Sequence, residues 1–149
     1  MKDKVKIVKT TSENPDFENL IKALDESLWE RYPELKSDYW GNNILELNPN
    51  VVIVYIEDKA VGCGCFKKYD KNTIEIKRMF VSPEARGMGL AQTILRELEL
   101  WAQDLGYSFS VLETLYKQKE DIKKYQKTGY SIVDNYEPYV GLENSICMR

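Results

Sequence analysis

The run Arg86-Gly87-Met88-Gly89-Leu90-Ala91 stands where a β-rich stretch gives way to a helical one, and its chemistry is that of an anion cradle. Gly87 and Gly89 let the main chain turn tightly and leave room for a ligand to come close to it. The helix that follows would add unpaired N–H groups and the positive end of its dipole, which together suit a phosphate or pyrophosphate. A short G-x-G also serves as a plain strand-to-helix turn, so spacing alone leaves both readings open. The chain contains no histidine. A Ser-His-Asp or Cys-His centre and a histidine-ligated metal are thereby excluded, and proton transfer falls to a carboxylate, a tyrosine or water. The three cysteines lack the paired spacing of a disulfide framework or a zinc site, and Cys63 and Cys65 read as small core residues on one strand face.

The elements that must position this loop can be read along the chain. With 149 residues, 43% hydrophobic and 30% charged, the expectation is one domain over residues 1–149 with a core of ordinary size. A net charge of −3 with both signs interspersed gives no general affinity for nucleic acid or an anionic membrane. No apolar run nears the roughly 20 residues of a membrane helix. The segment MKDKVKIVKT has no signal-peptide core, so a cytoplasmic protein is expected.

Val5 to Lys9 alternates as a strand with one face buried. Asn14 as N-cap, Pro15 at the first helical position and apolar residues from Phe17 to Leu28 predict a helix to about Arg31. Breakers dominate Tyr32 to Asn50, with a short second helix expected near Leu35 to Tyr39. Val51 to Glu57 and Ala60 to Lys67 read as a hairpin turning at Asp58-Lys59. The next strand, Thr73 to Val81, would place Glu75, Lys77, Met79 and Val81 on one face and Ile74, Ile76, Arg78 and Phe80 on the other. After the glycine loop, Leu90, Ile94, Leu98, Trp101 and Leu105 make a wide helical stripe closed by Gly106. A strand at Ser108 to Glu113, a helix at Gln118 to Thr128, a strand at Tyr130 to Val133 and a last strand at Ser145 to Met148 complete a mixed α/β order, parallel around the glycine loop.

The runs EIKRMFVSPEARGMGLAQTILRELELWAQDLGY and KYQKTGY resemble the GCN5-related N-acetyltransferase (GNAT) superfamily. Arg86, Gly89 and Ala91 meet its Arg/Gln-x-x-Gly-x-Gly/Ala signature, and Met79-Phe80-Val81 and Tyr125-x-x-x-Gly129-Tyr130 stand at the expected distances. The resemblance implies an α/β (α+β) fold: a GNAT-like mixed sheet of about seven strands, about four flanking helices and a splayed central strand pair. It also implies acetyl-CoA as co-substrate, with no metal. Main-chain N–H groups of Gly87, Met88, Gly89, Leu90 and Ala91 would then hold the pyrophosphate, and the pantetheine arm would pair with Met79, Phe80 and Val81. Gln118 stands where many members have an asparagine on that arm.

The same resemblance gives Tyr125 the role of general acid toward the leaving thiolate. It gives Glu75, in the place of the catalytic glutamate of the histone-acetylating branch, that of base. An N–H of Phe80 or Val81 would polarise the thioester oxygen. The implied acceptor is a primary amine of a small molecule or peptide, in a pocket drawn from Tyr32 to Asn50, Glu75, Lys77 and Tyr136 to Gly141, with Glu34, Asp38, Glu46 and Glu137 to attract a cation. The alternative is a catalytically silent acyl-CoA-binding or regulatory module. A homodimer is allowed by pairing of the last strand across two chains.

Overall fold

The computed structural model describes residues 4–35 and 48–149. Asp38, Tyr39, Trp40, Glu46 and most of the expected second helix lie outside these residues; the chain enters that segment through a 3₁₀ turn at Pro33–Leu35. Strand β1 is Val5–Thr10, helix α1 Pro15–Arg31, β2 Val51–Ile56, β3 Lys59–Asp70 and β4 Thr73–Val81. Then come a 3₁₀ turn at Pro83–Ala85, helix α2 at Leu90–Asp104, β5 at Phe109–Leu115, helix α3 at Lys119–Lys127, β6 at Ile132–Val133 and β7 at Ser145–Met148. The seven strands form one sheet in the order β1-β2-β3-β4-β5-β7-β6. Three α-helices, rather than about four, flank it among the described residues.

Local chemistry explains most boundaries. The Asn14 side chain accepts from the Asp16 N–H at 2.9 Å, capping α1 as its residue type requires. The β2–β3 hairpin turns one residue earlier than expected, at Glu57-Asp58, because φ of +50° and +66° at those positions gives the twist that matches two paired strands. β1 has no buried face: Val5 and Ile7 are exposed, since an edge strand paired only with β2 lies beyond the cover of the helices. β7 pairs with β5 along its length and with β6 at Cys147 and Met148.

The core has two layers. Phe17, Leu20 and Ile21 of α1 pack on Val51, Ile53, Cys63, Cys65 and Phe80. On the opposite face Leu90, Ile94, Leu95, Leu98 and Ala102 of α2 pack on Val52, Phe66, Ile74, Ile76 and Leu112, joined at the margin by Ile122 and Tyr125 of α3. Ile94 and Leu98 are fully buried, each stabilising the fold by about 1.5–3 kcal/mol. Leu105, expected to extend this stripe, is exposed just beyond the helix end. Gly64 lets α2 approach this closely, because a Cβ there would stand 2.6 Å from Met79 Sδ and 2.9 Å from Ile94 Cγ2.

The alternation expected for β4 fails at one residue. Cys63 pairs with Phe80 and Cys65 with Lys77, so Gly64 alone faces Arg78 and Met79, and Arg78 takes φ of +60°. This bulge switches the faces of all that follows. Ile74 and Ile76 share the α2 side with Met79 and Val81, while Phe80 joins the α1 side. Glu75 therefore does not share a face with Val81, contrary to strict alternation.

Candidate active site

The glycine loop is built from main chain. Gly87 and Gly89 have φ of +86° and +76°, values that L side chains rarely adopt, and a Cβ at either would meet nothing within 4 Å. Gly89 is the N-cap of α2 and offers no side-chain cap. The N–H groups of Leu90, Ala91 and Gln92 have no carbonyl one turn behind them, and the first helical bond is Thr93 N–H to Gly89 O at 3.2 Å. Met88 is exposed, Leu90 is buried beneath the turn, and Ala91 is partly covered. Open N–H groups, the positive helix end and no covering side chain fit a pyrophosphate. Arg86 turns back instead, its Nε donating to Val81 O at 3.0 Å and bracing the end of β4.

The parallel strands β4 and β5 pair only from Thr73–Phe109 to Ile76–Leu112. Beyond that each strand keeps its outer neighbour: β4 stays with β3 as far as Val81, and β5 stays with β7 as far as Leu115. A gap opens between them, as a splayed central pair requires. Ser82 N–H reaches Val61 O at 2.8 Å, so by strand alternation the Phe80 amide faces β3, while those of Val81 and Met79 face the gap. Phe80 instead contributes its ring to the α1-side core.

A cavity runs through this gap, lined by Glu75 to Met79, Leu112 to Leu115, Gln118, Asp121, Tyr125, Tyr139 and the α1 residues Leu24, Leu28 and Trp29. The structure thus brings Glu75, Met79, Gln118 and Tyr125 together, with the loop residues beyond the far end of β4. Gln118 precedes α3, and its Oε1 accepts from Thr114 Oγ1 at 3.1 Å. Tyr125 reaches the gap from the α2 side and meets Tyr130 edge-on at 6.0 Å. Burial, and secondarily the Asp121 carboxylate, push its phenol well above the ordinary range, so it stays protonated and can only donate near neutral pH.

On the α1 side stands a polar cluster. Glu75 is 1% exposed; its Oε2 accepts from the Tyr136 hydroxyl at 2.7 Å and its Oε1 lies 3.8 Å from Lys77 Nζ. Lys77 Nζ donates to the Tyr139 hydroxyl at 3.2 Å. Glu113 accepts from Ser145 Oγ at 2.7 Å. Its carboxyl is pushed up to about 7, chiefly by burial, with Glu75 adding to the rise and Ser145 and Lys77 opposing it. The Cys147 thiol, fully buried, is pushed up to about 11, mainly by burial, which keeps it un-ionised and a poor nucleophile. Arg78, carried on the bulge, binds Asp25 of α1 at 3.2 Å and ties that helix over the cavity.

The expected acceptor carboxylates fare differently. Glu34 pairs with Lys117 at 2.7 Å, Glu137 is exposed, and neither lines the cavity. Glu113, expected only as the end of its strand, lines the cavity instead. The available signal was its position between Val111 and Leu115 on the inward face of β5, where an apolar residue is the rule.

The model of the acetyltransferase (GNAT) family matches residues 17–130. An IAA acetyltransferase of Azospirillum brasilense is 32% identical over 127 residues, 80% of each chain. Among solved structures, a Klebsiella pneumoniae protein classed as an acyl-CoA N-acyltransferase superposes with a TM-score of 0.79 at 26% identity, covering 97% of this chain and 94% of that one. The PaiA N-acetyltransferase of Thermoplasma acidophilum, solved in complex with coenzyme A, shares the fold with a TM-score of 0.73 at 19% identity and 97% coverage of both chains.

Proposed function

Because this chain belongs to the acetyltransferase (GNAT) family, we propose that it moves an acetyl group from acetyl-CoA directly to a primary amine of a small molecule or peptide. The single observation that carries this reading is the gap between β4 and β5, with an open main-chain cradle beyond one end and ionisable side chains at the other. Acetyl-CoA supplies the activated acetyl thioester.

The loop N–H groups from Gly87 to Ala91 hold the pyrophosphate, and the free edge of Met79 and Val81 pairs with the amides of the pantetheine arm. The Val81 N–H is the main-chain donor available to the thioester oxygen, Phe80 being turned toward β3. Gln118 steadies the arm from the start of α3. Tyr125 gives its phenolic proton to the sulfur as it leaves; burial keeps that proton on the phenol near neutral pH until the thiolate forms. Glu75 lines the acceptor side of the gap, where its carboxyl can hold an ammonium group.

A thermal melt with and without acetyl-CoA, followed by acetylation of a panel of primary amines, tests the reading. Stabilisation by the donor, which must follow if it binds only the native state, together with turnover of at least one amine, is expected. Absence of the shift overturns the donor assignment. A shift without turnover of any amine favours the silent binding module.

A further inference from the structure

We infer that the indole N–H of Trp29 selects the acceptor by donating a hydrogen bond to an uncharged carbonyl oxygen carried near the reacting amine, so that amino-acid amides are the class this site takes. The inference rests on the acetyltransferase reading and names the acceptor class within it. Trp29 Nε1 is buried and has no hydrogen-bond partner; among the described residues it is the only buried side-chain nitrogen or oxygen left so. Leaving a buried donor unpaired costs stability, which gives the position a reason to be sought in a ligand.

The place of Trp29 in the fold supplies that reason. Asp25 ties α1 to Arg78 at 3.2 Å, and Trp29 follows one turn later on the same helix face. It packs with Leu28, Tyr32 and Leu142 against Leu115. Arg78 and Leu115 both lie beyond Ile76–Leu112, the last pair of β4 with β5, so the indole covers the open part of the gap from the α1 side and its ring lines the cavity there. A small turn about χ2, a broad torsion for this side chain, points the N–H into that cavity.

The donor has other partners. Its carbonyl oxygens meet the free N–H groups of Met79 and Val81 and the amide nitrogen of Gln118, whose Oε1 is engaged by Thr114. The α2 face of the gap is closed by core side chains, so an acceptor approaches from the α1 side and passes Trp29.

Charge decides which oxygen the indole can bind. Glu75, Glu113 and Asp121 line the cavity with Lys77 and Arg78, and those two cations are already matched, Lys77 by Glu75 at 3.8 Å and Arg78 by Asp25 at 3.2 Å. An ammonium is attracted there and a carboxylate repelled. An uncharged carbonyl meets no such repulsion, and the apolar neighbours of Trp29 strengthen a hydrogen bond between two neutral groups.

Trp29→Phe keeps an aromatic ring and removes the N–H. At pH 8 it should lower kcat/KM for glycinamide roughly tenfold or more and for propylamine less than about twofold, because the change of ring is common to both and the hydrogen bond is lost to one. The donor KM should hold. In the parent protein glycine, with its carboxylate, should be a poorer acceptor than glycinamide.

A second readout needs no turnover. In isotope-labelled protein observed by NMR, with coenzyme A in place of acetyl-CoA, one of the three indole N–H signals should move downfield when glycinamide is added and stay in place when propylamine is added. That signal should be missing from Trp29→Phe. An indole that only packs would leave all three signals where they are.

Equal losses for glycinamide and propylamine would put Trp29 on the thioester or in the scaffold and overturn the inference. So would three unmoved indole signals, or a preference for glycine over glycinamide; in each case acetylation of propylamine leaves the acetyltransferase reading intact. A parent protein that acetylates no amine overturns both.

Discussion

The two ends of the β4–β5 gap are made in opposite ways. The loop end is main chain: two glycines at positive φ, a helix start and no covering side chain. The other end is side chain, with Glu75 and Lys77 from β4, Glu113 from β5, Ser145 from β7 and Tyr136 and Tyr139 from the turn before it. A main-chain site needs a conformation, which a few consecutive residues supply. A side-chain site needs elements distant in sequence to be packed first, and its carboxyl pKa values report that packing.

Three substitutions separate the two ends. Tyr125→Phe should produce the largest effect, a fall in kcat of roughly 100-fold with little change in donor affinity, since only the proton is removed. An unaltered kcat in an assay limited by chemistry would take Tyr125 out of the mechanism. Gly89→Glu should raise the donor KM by about tenfold or more, through a like charge facing the pyrophosphate, while the acceptor KM holds. Because a Cβ there meets nothing within 4 Å, the fold should lose only about 1 kcal/mol of left-handed backbone strain. Equal effects on both Michaelis constants would mean that the two ends are not independent.

The smallest effect belongs to the scaffold between them. Gly64→Ala pushes a methyl group toward Met79 and Ile94 and should cost about 1–3 kcal/mol. That corresponds to a melting temperature lower by several degrees, with donor binding weakened before acceptor binding. An unchanged melting curve would show that α2 can shift without loss.

How far this site was legible in the sequence follows the same division. The Asn14 cap, the α2 stripe from Leu90 to Ala102 and the Gly87–Gly89 turn are local patterns, and each lies where residue type and spacing put it. The resemblance places Glu75 in the site, but strict alternation puts it on the face of Val81, which the extra residue at Arg78 defeats. No residue type announces that bulge: arginine at positive φ is uncommon, and its guanidinium is held by Asp25 from a helix 53 positions earlier. β1 misled in the other direction, because alternation shows that a strand has two kinds of face and not that anything covers one of them.

The sequence by itself determined the order of elements and the glycine turn before α2, because these depend on contacts within one or two turns of chain. Only the tertiary structure decided where β4 and β5 part, which face Glu75 takes and that Glu113 is partly buried beside Ser145. Those features depend on strand register and on desolvation by residues far along the chain, and both are set when the sheet closes between its helices.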